Sequence, residues 1–112
     1  MKEIKAYIQP FMLQKVITAL RRINIQGMSI TEIKGAGKEK DESYPHYSMD
    51  YIVDLTPKVK LETICSDSDA KKIINVIKES AHTGRGGDGK IIISNIEEVI
   101  SIRTGKAGDE AI

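Results

Sequence analysis

The residues best suited to chemistry stand in one short run, Thr83-Gly84-Arg85-Gly86-Gly87-Asp88-Gly89-Lys90, where four glycines fall within eight positions. With no side chains in the way, backbone N–H groups of such a run can point into one concavity, and this is how a chain makes a nest for an anion. Lys90 adds an ammonium at its edge. The run lacks the GxxxxGK[ST] spacing of a Walker loop, and a strand pattern rather than a helix follows it. Two further glycine-and-basic segments, Lys34-Gly35-Ala36-Gly37-Lys38 and Arg103-Thr104-Gly105-Lys106, lie at other candidate strand ends. A polyphosphate needs several converging donors and cations, which three such segments could supply. The same compositions also describe plain turns with solvated charges, and spacing alone leaves that alternative open.

Catalytic constellations are absent from the pattern. Neither His46 nor His82 has a nucleophile beside it, the acidic residues are scattered, and Cys65 occupies an alternating stretch as a small apolar residue would. His46 reads as an exposed loop residue and His82 as a helix C-terminal residue favoured by the macrodipole. We therefore expect a binding protein rather than an enzyme. Seventeen basic against sixteen acidic side chains leave a net charge of +1, without the basic excess that gripping a nucleic-acid backbone demands. A lone cysteine forms no internal disulfide and fits a reducing cytoplasm. The opening MKEIKAYIQPF lacks the apolar core of a signal peptide, and no run approaches the roughly 20 apolar residues of a membrane helix, so direct membrane insertion is not expected.

These segments must be positioned by something, and 112 residues with 40% apolar and 29% charged content are enough for one globular domain over 1–112. Residues 3 to 9 alternate, with Ile4, Ala6 and Ile8 on one side, and Pro10 closes that strand. From Phe11 to Ile23 the apolar Met12, Leu13, Val16, Ile17, Leu20 and Ile23 recur at helical steps. A second strand begins at Gly27 and ends at Gly35 and Gly37. A third runs from about Tyr51 through Pro57 to Cys65, with Val59, Leu61, Thr63 and Cys65 alternating against Lys58, Lys60, Glu62 and Ile64. Ser66 or Asp67 should cap a second helix carrying Ile73, Ile74, Val76 and Ile77. KIIISNI then reads as a fully buried strand, EEVI as a short helical turn, and SIRTG as a brief extended segment before a polar tail.

The order strand, helix, strand, strand, helix, strand predicts an α+β, ferredoxin-like βαββαβ sandwich with an antiparallel sheet and both helices on one face. No third long helix remains for the other face, so packing against further copies of the chain is the economical cover. Between the second and third strands, residues 37–54 have no sustained period and exceed the usual length of a connection in a compact domain. We expect a flexible loop that binds a partner, with Tyr44, Tyr47 and Tyr51 suited to contact. The RRM shares this order of elements and makes a nucleic-acid-binding module the alternative. That module stacks bases on sheet aromatics, whereas here the only Phe is Phe11 at a helix start and KIIISNI has no aromatic.

The chain resembles the PII nitrogen-regulatory signal-transduction proteins along its whole length. The matching segments are MKEIKAYIQPF, GMSITEIKG, YIVDLTPKVK, TGRGGDGKI and SIRTG, of which PKVK with GDGKI is the most specific combination. The resemblance implies a cytoplasmic homotrimer that binds ATP or ADP between subunits, senses 2-oxoglutarate, and controls a transporter or metabolic enzyme through the long loop. It implies that Gly87, Asp88, Gly89 and Lys90 cradle the phosphates with Gly35, Gly37 and Lys38, and that Arg103 reaches in from a neighbouring subunit. Ser29 and Ile64 would hold the adenine, and Lys58 a 2-oxoglutarate carboxylate. Glu39 stands where the family has a glutamine that coordinates Mg²⁺ and helps hold 2-oxoglutarate; a carboxylate there can bind Mg²⁺ but repels a dicarboxylate. Tyr47 stands in place of an arginine that enters ammonium-transporter pores, Ser101 and His82 stand in place of arginines, and Ile92 in place of an aromatic.

Overall fold

The computed structural model describes residues 1–36 and 55–112. The first strand, β1 (Lys2–Ile8), carries out the alternation in its sequence: Ile4, Ala6 and Ile8 are buried while Glu3, Lys5 and Tyr7 face the other way. Pro10 opens a single 3-10 turn, Pro10–Met12, and the helix proper, α1, runs Leu13–Arg22 with Val16 and Leu20 fully buried. Asn24, at φ 67°, closes it: the Asn24 N–H donates to the Arg21 carbonyl at 3.0 Å and the Ile25 N–H to the Leu20 carbonyl at 3.0 Å. That pair of bonds satisfies helix-end carbonyls in the manner of a Schellman motif.

Strands β2 (Ser29–Gly35) and β3 (Thr56–Cys65) form an antiparallel ladder closed by the pair Gly35 and Thr56. In β3 the alternating set Val59, Leu61, Thr63 and Cys65 is buried as expected, and the Thr63 hydroxyl is satisfied by the Gly27 carbonyl at 2.7 Å. Among the described residues the third strand begins at Thr56, and the expected start at Tyr51 lies outside them. Helix α2 (Asp67–Ala81) is preceded by Ser66 in extended conformation. Ser66 takes the cap position, but its hydroxyl meets the Ser68 hydroxyl at 3.0 Å and only its carbonyl engages the helix, through the Asp69 N–H at 3.1 Å. Asp67 in the first turn pairs with the N-terminal ammonium at 2.8 Å, whose hydrogen bond and charge hold its carboxyl below the usual range.

The last strand, β4 (Lys90–Asn95), pairs antiparallel with β1, which gives the sheet order β2-β3-β1-β4. One core joins Ile4, Ala6, Ile8, Val59 and Leu61 of the sheet to Val16, Leu20, Ile73 and Ile77 of the two helices, so both helices lie on one face. The α+β ferredoxin-like arrangement is therefore the one observed. Three expectations are corrected. β4 is not a buried strand: Ile92 and Ile93 are 43% and 46% exposed, because β4 is an edge and Ile92 lies on the helix-free face. Residues 97–100 form no helical turn; Ile100 instead bridges to Ala107, and the SIRTG segment is a tight hairpin between them rather than an extended piece. The tail ends in a 3-10 turn, Gly108–Ala111.

Candidate functional site

Because β3 and β4 both run antiparallel to β1, the C-terminal end of β1 meets the N-terminal ends of its two neighbours. Tyr7 is paired with Lys60 on one side and with Lys90 on the other. The glycine-rich turn between α2 and β4 closes over this end of the sheet. Gly89, at φ 101°, lies so close that a β-carbon there would sit 1.6 Å from the Tyr7 carbonyl oxygen. Gly87 is also left-handed, at φ 95°. Its carbonyl accepts a hydrogen bond from the Lys58 ammonium, and the Lys58 stem lies 3.4 Å from where a β-carbon on Gly35 would be. Lys58 thereby ties the start of β3 and the end of β2 to the glycine turn.

Asp88 organises that turn from within. Its carboxylate accepts from the Thr83 N–H at 2.8 Å, the Gly84 N–H at 2.9 Å and the Thr83 hydroxyl, and His82 Nδ1 stands 3.6 Å away. Desolvation pushes the carboxyl upward, but the Thr83 and Gly84 hydrogen bonds and the His82 charge outweigh it and hold Asp88 below the usual carboxylate range. Both carboxylate oxygens are thus committed to the turn, and what Asp88 can offer an anion is its backbone. The spacing of Thr83 and Asp88 gave no sign of this in the sequence. Beneath the turn, a cleft of about 370 Å³ runs between α2 and β4, lined by Ile77, Ala81, His82, Asp88, Ile91 and Ile93.

Ser29 and Ile64 lie elsewhere. Both line a second cleft of about 320 Å³, with Gly27, Glu62 and Val99, beside the N-terminal end of β1, where Glu3 pairs with Ile64. The described residues expected to bind one nucleotide therefore form two sets within a single chain. Gly35, Gly87, Asp88, Gly89 and Lys90 gather at one end of the sheet, with the expected effector cation Lys58 beside them, and Ser29 and Ile64 at the other. The distance between the ends is the run of β1 from Glu3 to Tyr7, about 13 Å at the rise of a strand. Arg103 sits in the C-terminal hairpin, which Ser101 shapes by accepting the Thr104 N–H on its hydroxyl at 3.2 Å and the Gly105 N–H on its carbonyl at 2.8 Å. Ile102 beside it is fully exposed. Gly37, Lys38, Glu39, Tyr44, Tyr47 and Tyr51 lie outside the described residues.

Three further observations bear on the chemistry. Gln9, directly after β1, is fully buried, and neither atom of its amide has a hydrogen-bond partner among the described residues. Cys65 is 2% exposed, and burial, reinforced by the Asp69 charge, pushes its thiol up, so it is not an activated nucleophile. Among the described residues no three His, Cys, Asp or Glu side chains cluster to hold a metal, and no helix is long and apolar enough to cross a membrane.

A family model described as Nitrogen regulatory protein P-II matches residues 1–106. Over all 112 residues, and over the full length of each relative, the chain is 47% identical to the nitrogen regulatory protein P-II of Rhizobium meliloti (strain 1021) and 46% identical to that of Azospirillum brasilense. Among solved structures it is similar to the crystal structure of Arabidopsis thaliana PII bound to citrate, with a TM-score of 0.82 and 32% identity over 99% of this chain and 91% of that one.

Proposed function

The chain belongs to the nitrogen regulatory protein P-II family of signal-transduction proteins, and from that premise we propose that it is a homotrimeric sensor that binds ATP or ADP between its subunits. The observation that carries this reading is the glycine turn, fixed by Asp88 from inside and by Lys58 from below, with Lys90 at its exit. Left-handed glycines at 87 and 89 present backbone N–H groups that a side chain would block, which suits the oxygens of a polyphosphate. The separation of the two residue sets supports a site shared between copies: one copy supplies the turn and a neighbour supplies Ser29, Ile64 and Arg103. Exposed Ile64 and Ile92 on the helix-free face, at 37% and 43%, are the apolar surface that such packing would cover. With Asp88 committed to Thr83 and Gly84, the turn has no carboxylate to spare for Mg²⁺, so the ion would be held by the phosphates together with Glu39.

Lys58 is the cation for a carboxylate effector of the 2-oxoglutarate kind; that a similar PII has been solved bound to citrate is in keeping with a carboxylate ligand. Nucleotide and effector would set the affinity of residues 37–54 for a transporter or metabolic enzyme in the cytoplasm. The test is calorimetric titration of ATP and of ADP, with and without Mg²⁺ and 2-oxoglutarate. Lys90→Ala should weaken ATP by about 1.5–3 kcal/mol, the range of a charge-assisted contact, or roughly 10- to 150-fold. Absence of adenine-nucleotide binding by the assembled protein would refute the reading, and unchanged affinity in Lys90→Ala would count against the turn as the phosphate cradle.

A further inference from the structure

Residues 107–112 fold back onto the sheet. Ala107 bridges to Ile100, and Gly108, at φ 77°, reverses the path and donates its N–H to the Val99 carbonyl at 3.0 Å. In the 3-10 turn that follows, Glu110 lies 3.6 Å from the Lys106 ammonium, and the Ile112 N–H donates to the Asp109 carbonyl at 3.3 Å. This turn carries Ala111 and Ile112 to the cleft of about 320 Å³ that Ser29 and Ile64 line. One wall of the cleft is the helix-free face of the sheet, where Ser29 is paired with Glu62 and Ile64 with Glu3, and another is the turn with Val99. Apolar side chains from both walls line the gap and are incompletely covered, Ile64 at 37% exposed and Ile112 at 54%. The two carboxylates of the cleft already have partners, Glu3 in Lys5 at 3.4 Å and Glu62 in Lys60 at 3.3 Å. A cation therefore gains little there and an anion is repelled, whereas a flat, uncharged ring with apolar faces and polar edges suits such a gap.

We propose that Ile112 is a base-contacting residue: the copy that supplies Ser29 and Ile64 holds the purine ring of the nucleotide between its sheet and its own C-terminal turn. This inference rests on the reading of Ser29 and Ile64 as adenine-binding residues, and it adds the second face of the clamp. The turn and Arg103 belong to one unit, because the Ser101 N–H donates to the Lys106 carbonyl at 2.9 Å across the hairpin that holds Arg103. That unit bears both the cation for the phosphates and an apolar wall for the base, so the two ends of the ligand are engaged together. Reducing Ile112 to alanine removes apolar cover from one face of the ring and leaves Ser29, Ile64 and the glycine turn untouched.

The experiment uses the full-length protein with ATP as probe, in the wild type and in Ile112→Ala. Calorimetric titration gives the affinity of each. Methyl NMR of isoleucine-labelled protein at saturating ATP reads the contact, the Ile112 signal being assigned as the one missing from the variant. The expected result is a nuclear Overhauser effect between an Ile112 methyl and an adenine ring proton, with ATP affinity about five-fold or more weaker in the variant. An Ile112 methyl without an adenine contact in the ATP-bound wild type overturns the proposal, and so does unchanged ATP affinity in Ile112→Ala. Either of these leaves the nucleotide reading intact, since the wild type still binds ATP. A wild type that binds no ATP refutes the nucleotide reading and this inference with it.

Discussion

Replacing Gly89 by alanine separates steric exclusion from backbone preference. The φ of 101° alone costs an alanine about 1–3 kcal/mol. The added β-carbon would also lie 1.6 Å from the Tyr7 carbonyl oxygen and 2.7 Å from its carbon, where real contacts are essentially never below 3.0 Å. Tyr7 cannot yield, because it is held in the ladder by Lys60 on one side and Lys90 on the other. The turn must retreat by well over an ångström, which pulls Gly87 away from Lys58 and disturbs the nest. Gly84 is the control: its φ is 85°, but its nearest neighbour would be His82 Nε2 at 3.7 Å, an ordinary contact. Gly84→Ala should therefore lose about 1 kcal/mol of unfolding free energy and little nucleotide affinity, while Gly89→Ala loses about 3 kcal/mol or more, and ATP affinity falls at least ten-fold. Urea unfolding followed by circular dichroism gives the first quantity and calorimetric titration the second. If the two variants are equally stable and bind ATP equally well, the close approach to Tyr7 does not shape the site.

Acid should open the same turn. Asp88 has its carboxyl lowered in the folded chain, so the stability it contributes is complete above the unfolded carboxylate value of about 3.9 and is lost as pH falls through the folded value. Amide exchange at Thr83 and Gly84, followed by NMR, should stay protected from pH 6 to about pH 4 and rise below it, and Asp88→Asn should show the rise at neutral pH with a loss of about 1–2 kcal/mol. Protection that persists to pH 2 in the wild type would contradict this role. In the proposed trimer the helix-free face is the contact, so Ile92→Lys should give monomers by light scattering after size exclusion, since a charge would be buried where an apolar side chain was; a trimer unaltered in the variant would place the contact elsewhere.

Sequence periodicity located the elements wherever a face is buried within one chain. Ile4, Ala6 and Ile8 in β1, and Val59, Leu61 and Cys65 in β3, alternate in sequence as they do in burial, because period two has only one way to satisfy a half-buried strand. It misjudged KIIISN, since an apolar strand at an exposed sheet edge has the same composition as one intended for a core. It misjudged residues 97–100 because the Ile100 bridge to Ala107 is a pairing across a hairpin, invisible to a local pattern. At the candidate site, the glycines at 87 and 89 and the cation at 90 were legible from type and spacing. The commitment of Asp88 to Thr83, the reach of Lys58 to Gly87 and the isolation of the Gln9 amide were not, because each depends on residues brought together by the turn or by strand register.

The ladder of β2 and β3 closes at Gly35 and Thr56, so the chain leaves and re-enters the sheet at neighbouring positions one strand spacing apart, about 4.8 Å. Everything between those two anchors can be exchanged for a segment of another length or composition without shifting the register that sets Lys58 against Gly87. If residues 37–54 recognise a target as proposed, that recognition becomes an interchangeable cassette on a fixed chassis. Transplanting residues 40–54 from a relative, which keeps Gly37, Lys38 and Glu39 in place, is then a route to redirect the proposed output while the proposed input stays as it is.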